Sequence, residues 1–394
     1  MQIESLHIYN FRVFQDVLVA DIPKMAVFMG QNGSGKTTFF DVFGFLHDCL
    51  TSNVRTALAK RGGFEEVRSR EQRGDLKFVI KFRPSPEEPR ITYELTIGLN
   101  PKKMPVVKKE IMRFRRGQHG KPWKILDFSY GKGSAAEGEL LHYDDVKEAT
   151  RKPQKVSEPD ILAIKGLGQF EDFPAIASLR RLIEDWYVSD FHVEDARNRQ
   201  VANYSESLSK TGDNLAQVAK YLYESHPGQF DKILKAMRER VPGVLNVEAK
   251  ITEDGYIVLR FQDGRFKNPF SSKFVSDGTI KMFTYLVLLS DPYPHALLCV
   301  EEPENQLYPQ LLAQLAEEFR NYSNIGGQVF ISTHSPDFLN ATHINELYCL
   351  VKKDGYSKIV RASESPLIAS LYAEGELLGE LWSQEILLSE AGKL

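Results

Sequence analysis

Gly30-Gln31-Asn32-Gly33-Ser34-Gly35-Lys36-Thr37 directly follows the apolar run Met25–Met29 and is followed by an apolar-rich stretch over residues 38–50. The eight residues match the phosphate-binding loop pattern G-x-x-x-x-G-K-[ST], and the strand-length run before them and the helix-like stretch after them are the context that pattern requires. Glycines let successive backbone N–H groups turn inward around phosphate oxygens. Lys36 brings a point charge, and Thr37 offers a hydroxyl to Mg²⁺. A helix starting here points its positive dipole end at the same anion, with Asn32, Gly33, Ser34, Gly35 and Thr38 around it. The alternative, a chance match in a glycine-rich turn, does not account for the flanking strand and helix.

At 394 residues the chain exceeds the usual size of one domain, so a large core with insertions or two to three subdomains is expected. Apolar residues at 42% and charged residues at 26% describe an ordinary globular composition, and a net charge of −3 gives no global pull toward nucleic acid. Cys49, Cys299 and Cys349 lack metal-ligand spacing and sit in apolar surroundings, which reads as buried reduced thiols. The start, Met1-Gln2-Ile3-Glu4, lacks the basic and apolar regions of a signal peptide. The longest apolar region, residues 282–300, is interrupted by Asp291, Pro292 and Pro294, so it reads as helix, turn and strand rather than a membrane span. A cytoplasmic protein without membrane contact is expected.

Residues 3–14 alternate as a strand, and residues 17–22 read as its partner. Residues 76–82, 91–97, 106–115 and 123–130 are further strand-like runs, which predicts a mostly antiparallel β lobe. Residues 131–159 are polar, rich in glycine and charge, and read as a loop. Helical spacing appears at 173–185, 214–225 and 229–240, with Asp213 as the cap of the second helix and Pro227-Gly228 separating it from the third. Residues 244–261 read as a strand pair turning at Asp254-Gly255, and residues 346–352 and 357–362 as another around Asp354-Gly355.

The short apolar strand Leu297-Leu298-Cys299-Val300 ends in Glu301-Glu302. Carboxylates at the carboxyl edge of such a strand stand where open α/β sheets bind ligands. Glu301 would hold Mg²⁺, and Glu302 would orient and deprotonate an attacking water. A second apolar strand, residues 328–332, ends at Thr333-His334-Ser335-Pro336, where His334 can reach the terminal phosphate or the water. Upstream, Ser276-Asp277-Gly278 forms a small polar turn before the apolar helix 282–290, a second anion site. Each of these three has a plain structural alternative: solvated acids, a surface histidine, a helix cap.

In this order the motifs resemble the ATP-binding cassette (ABC) head of the SMC, Rad50 and RecF class, and most closely the stand-alone OLD-type "AAA-like" ATPases of bacterial defence systems. Asn10-Phe11-Arg12 looks like that group's N-terminal Asn-Phe-Arg strand, and Glu301-Glu302-Pro303-Glu304 resembles its acidic Walker B. Glu301 stands where Asp is usual, and Ser276-Asp277-Gly278 replaces the Ser-Gly-Gly core of transporter signatures; both changes are familiar in the defence-type group. The resemblance covers residues 1–50 and about 270–345. It implies an α/β fold, an ABC-type P-loop NTPase head with an N-terminal antiparallel β lobe and an inserted helical region. Residues 1–50 and 262–394 would form the ATPase core and residues 51–261 the insertion, β-rich to about 130.

The same resemblance implies ATP and Mg²⁺ as cofactors, Arg12 among the nucleotide contacts, and head-to-tail pairing of two copies. In that pairing the signature turn, Ser276 to Gly278, closes over the partner's nucleotide, and Asn305-Gln306-Leu307-Tyr308-Pro309 occupies the loop that crosses the interface. The Mg²⁺-sensing glutamine of such heads is not assigned. The stretch after His334 is too short for the Toprim nuclease domain of OLD-type proteins, which points to an effector, a nuclease, encoded separately. The competing reading is a RecF- or Rad50-like repair ATPase that clamps DNA. Lys102, Lys103, Lys108, Lys109, Arg113, Arg115, Arg116, Lys121 and Lys124, opposed only by Glu110, suggest a phosphate-backbone surface over residues 102–124 or equally a solvated hairpin face.

Overall fold

The computed structural model describes residues 1–114, 122–138 and 151–393, which divide into two compact units, Met1–Trp186 with His343–Leu394, and Tyr187–Thr342. The first unit carries an antiparallel sheet in the order Phe14–Val19, Gln2–Phe11, Leu76–Arg83, Ile91–Leu99, Pro105–Phe114, Trp123–Ser129, Lys132–Ala136, Arg151–Lys155. Leu76–Arg83 buries every second residue, the period-2 pattern of a sheet with one covered face. Met25–Met29, buried throughout, lies parallel to Leu347–Lys353, which turns back antiparallel as Tyr356–Arg361.

Between these strands and the antiparallel sheet, aromatic rings supply the packing. Helix Lys36–Thr51 buries Phe39, Phe40, Phe43 and Phe45. Phe28 on the central strand meets Phe39 at 4.3 Å between ring centroids, and Phe45 meets Phe78 of the antiparallel sheet at 5.7 Å. Each such fully buried ring contributes about 1.5–3 kcal/mol, so this cluster fixes the helix that follows the phosphate loop. Glu110 is the polar exception. It is buried among these strands, and burial pushes its carboxyl up to about 7 although the N–H groups of Ala163 (2.6 Å) and Ile164 (3.1 Å) and the Tyr93 hydroxyl (3.0 Å) donate to it.

The second unit holds an antiparallel pair, Val244–Ile251 with Tyr256–Asp263, and the short strands Gln200–Val201 and Phe270–Ser271 both pair with Tyr256–Asp263. Leu297–Glu301 runs parallel to Gln328–Thr333, joined by helix Pro309–Ile325. Both strands are buried runs apart from half-buried Glu301 at the end of the first, as parallel strands covered on two faces must be. Helix Asp277–Leu289 precedes them, and no helix among the described residues is long and apolar enough to cross a membrane.

Several expected boundaries move. The first strand ends at Phe11 and its partner begins at Phe14, with Phe11 paired to Phe14 across Arg12-Val13. The apolar residues run on through this two-residue turn, so the sequence leaves it unmarked, and exposed Gln15 and Asp16 lie within the second strand. Residues 131–159 are not only loop: Lys132–Ala136 and Arg151–Lys155 pair and extend the sheet, while 139–150 lie outside the described residues. Gly133 is required there, because a Cβ would come within 2.6 Å of the Phe128 Cα. Asp213 does not cap helix Leu215–Ser225. Its carboxylate takes the Ser209 hydroxyl, and Asn214 stands at the cap position. Pro227 opens helix Pro227–Arg240 rather than preceding it, as its fixed φ allows. Helix Asp277–Leu289 begins five residues before Met282, because the Ser276 hydroxyl accepts from the Thr279 N–H at 3.3 Å and caps a polar first turn.

Candidate functional site

In the first unit, the phosphate loop leaves the end of strand Met25–Met29 and enters helix Lys36–Thr51 at Gly35. Gly33 (φ 78°) and Gly35 (φ 103°) take the left-handed conformation, and a Cβ on Gly35 would meet Val13 Cγ2 at 2.9 Å. No other residue type fits that point without strain. Ser34 is buried and its Oγ has no hydrogen-bond partner, while Gln31, Asn32, Gly33 and Thr37 are exposed. Lys36 is 7% exposed and curls back over the loop, its Nζ donating to Gly30 O (2.7 Å) and Gln31 O (3.4 Å). Thr38 is half-buried in the first turn of the helix. Glycine backbone, an orphaned buried hydroxyl and a lysine held over the loop form a cradle that suits a polyphosphate. Gln31 to Ser34 also line a cavity of about 480 Å³ with Leu350 to Lys352 and tail residues Glu385, Leu388, Ser389 and Gly392.

Arg12 sits at the hairpin turn with φ 50°, its backbone N–H donating to Val67 O at 2.7 Å. Its guanidinium pairs with Asp41 of the loop helix at 3.0 Å, and Asp41 also accepts from Arg61 Nε at 2.8 Å. Arg12 is thereby tied to the helix that carries Lys36 and Thr37.

In the second unit, Glu301 ends its strand in register with Ser332, and Glu302 follows at φ 44°, its N–H donating to Ser332 O at 2.9 Å. Gln306 also has positive φ, 67°. Two such non-glycine residues in one loop mark strain held by surrounding structure, a feature that concentrates at working sites. Glu302 Oε1 lies 3.4 Å from His334 Nδ1, and its Oε2 accepts from Asn305 Nδ2 at 3.2 Å. Glu302 and His334 therefore come together as the sequence suggested.

Glu304 organises this group, a role not legible in the motif that contained it. Its Oε1 accepts from the Thr333 hydroxyl (2.8 Å) and the His334 N–H (2.9 Å) and lies 3.4 Å from His334 Nδ1. Lys281, one turn into the signature helix, was also missed. It is buried, its ammonium pushed down by desolvation against the opposing charges of Glu304, Asp190 and Glu302. A lysine inside an otherwise apolar helical run is the signal that could have found it. At the signature turn, Arg197 donates to Val275 O at 2.6 Å and pairs with Asp277, while Ser276 is exposed. A Cβ on Gly278 would meet Gln306 O at 3.0 Å, so this glycine permits a close backbone approach within its own chain.

Four of the cations of residues 102–124 are held in ion pairs, while Lys102 and Lys103 are exposed. Lys108 pairs with Asp75 (2.8 Å), Lys109 and Arg113 with the nearly buried Glu94 (3.4 and 3.6 Å), and Lys124 with Asp127 (2.5 Å). Glu110, expected to oppose them, instead faces inward, while Arg115, Arg116 and Lys121 lie outside the described residues.

Residues 25–340 match the model of a protein family described as "AAA domain, putative AbiEii toxin, Type IV TA system". No curated protein matches the chain in sequence. Among solved structures, the SMC head bound to the C-winged helix domain of ScpA is 12% identical with a TM-score of 0.57, covering 91% of this chain and 97% of that one. The SMC head domain from Thermotoga maritima is 13% identical (TM-score 0.46, covering 92% and 99%). An SMC head with an extended coiled coil bound to the C-terminal domain of ScpA, derived from Pyrococcus furiosus, is 13% identical (0.49, 94% and 99%). The fold is that of an ABC-type, SMC-like ATPase head.

Proposed function

We propose, for a chain that belongs to this AAA family, an ATP-binding and hydrolysing head that pairs with a second copy around ATP and regulates a separately encoded effector, a nuclease, in a defence-type system. The observation that carries the nucleotide reading is the loop from Gly30 to Thr37, with two left-handed glycines, the orphaned Ser34 hydroxyl and Lys36 held over it by carbonyl oxygens. Lys36 would exchange those carbonyls for phosphate oxygens, and the N–H groups of Asn32 to Thr38 would hold the remainder. Thr37 and Glu301 supply hard oxygen donors of the kind Mg²⁺ takes, and the ion would neutralise charge on the transferred phosphoryl group. Glu302 would take the proton of the attacking water, with His334 and Asn305 holding its two oxygens.

In this reading residues 1–50 and 262–394 supply the ATPase core, and Ser276, Asp277 and Gly278 act on the second copy's nucleotide in a cytoplasmic protein. The family description names a putative AbiEii toxin of a Type IV TA system, which supports a place in a defence-type system. For the competing repair reading, the nucleic-acid surface suggested over residues 102–124 is weakened by the ion pairs of Lys108, Lys109 and Arg113. The test measures phosphate release with ATP and Mg²⁺, and sedimentation of Glu302→Gln with and without ATP. Turnover by the wild type and ATP-dependent doubling of the variant's mass are expected. An absence of both refutes the reading. The effector is tested by binding of the purified product of the adjacent reading frame, with ATP present and absent.

A further inference from the structure

We propose that the segment 265–274 of the second unit is a binding platform for single-stranded nucleic acid, independent of the nucleotide chemistry. Of 24 phenylalanines in the chain, four are substantially exposed, and three of these are Phe266 (55%), Phe270 (40%) and Phe274 (76%). Their clustering is not the single scattered exposure that needs no explanation. Arg265, Lys267 and Lys273 alternate with the rings and are all exposed, with no acid within the segment. Among the described residues the one ion pair any of the three makes is a long one, Arg265 to Asp263 at 3.9 Å.

The rings stand on ordered backbone. Phe270 pairs in register with Phe261 at the edge of the small sheet, and the preceding turn is closed by the Arg265 N–H on Asp263 Oδ1 (2.8 Å) and the Phe266 N–H on Asp263 O (3.2 Å). Phe266 and Phe270 meet edge to face at 5.4 Å, and Ser272 Oγ donates to Arg197 O at 3.3 Å just before Phe274. Little ordering entropy is then left to lose when a ligand lands.

Exposed rings interleaved with exposed cations match the two surfaces of an unpaired strand. Bases offer π faces for stacking, and the backbone offers one negative charge per nucleotide. A duplex hides its base faces, so the rings favour a single strand. A protein partner would take the rings and Arg265, but lysine is depleted from protein interfaces and Lys267 and Lys273 stand between the rings. Residues 102–124 differ: there Lys108, Lys109, Arg113 and Lys124 are paired with Asp75, Glu94 and Asp127, whereas here Lys267 and Lys273 make no ion pair among the described residues.

The experiment is fluorescence anisotropy of the full chain with a labelled oligothymidylate of about 20 nucleotides, longer than typical site sizes, and with a duplex of the same length, between about 50 and 200 mM salt. The single strand should bind more tightly than the duplex, and more weakly as salt rises. Phe266→Ala/Phe270→Ala/Phe274→Ala should weaken it at least about tenfold, and Arg265→Ser/Lys267→Ser/Lys273→Ser should flatten the salt dependence. These side chains are exposed, so thermal melts of both variants should match the wild type. Wild-type affinity in the phenylalanine variant, or preference for the duplex, overturns the proposal. So does a change in sedimentation of that variant with no change in oligonucleotide binding, which would assign the rings to contact with a second copy. ATP hydrolysis is read separately, so failure here leaves the nucleotide reading standing.

Discussion

Lys36 is a buried cation whose ammonium rests on the carbonyl oxygens of Gly30 and Gln31. Such a group is preloaded for an anion, because a phosphate replaces neutral acceptors with charged ones. Lys36→Ala should therefore weaken ATP at least about a hundredfold (~2.7 kcal/mol), measured by calorimetry with a melt to show the fold intact. Unchanged affinity would remove the loop from the nucleotide site. Glu302 tests the other half. Its two oxygens are held by His334 and Asn305, and Glu302→Gln keeps the shape while losing the proton acceptor. ATP binding should persist and turnover fall by about 10²–10⁴; wild-type phosphate release from the variant assigns the base elsewhere. Both residues were legible because their types sit at fixed offsets after apolar strands. Glu304 was not, since its role depends on the Thr333 hydroxyl and His334 N–H, which a distant strand brings to it.

Strands and helices with strong periodicity read well from sequence, and those held by other forces did not. Leu76–Arg83 alternates without a break, and Lys36–Thr51 is dense with phenylalanine. Lys132–Ala136 and Arg151–Lys155 carry no alternation, and ladder hydrogen bonds to neighbours define them instead. The early start of helix Asp277–Leu289 rests on the Ser276 cap, which apolar spacing cannot show. Glu110 joins strand Pro105–Phe114 to helix Ala163–Leu167 and gives this scale its prediction. Its carboxyl lies at about 7 in the fold against an ordinary 4.5, so between those values the folded protein binds more protons than the unfolded chain. Stability contributed by this group is complete below 4.5 and is lost as pH rises through about 7, a change on the order of a few kcal/mol. Urea denaturation at pH 5 and pH 8 should show wild type losing more stability across that interval than Glu110→Gln. Equal losses mean that Glu110 does not take up a proton on folding.

At the scale of the whole molecule, the phosphate loop belongs to one compact unit and the acidic strand end, histidine and signature turn to the other. Periodicity gave the elements but no sign of this partition, because it reflects contacts between segments far apart in the chain. Pairing in trans can be tested without Gly278, whose missing side chain also makes room for Gln306 O within the same chain. Ser276 is the better probe: it is exposed, and replacing it costs a helix cap of about 1 kcal/mol rather than a buried contact. Ser276→Arg should retain ATP binding and lose hydrolysis, because a long cation at the turn blocks close approach of a second copy. Mixed with Lys36→Ala, it forms heterodimers in which one composite site carries both lesions and the other carries neither. Phosphate release should then recover to a fraction set by the population of mixed pairs, although each variant alone is inactive. If labelled subunits demonstrably exchange and no activity returns, either the loop and the signature turn serve the same copy or both sites must fire together, and independent head-to-tail sites are excluded.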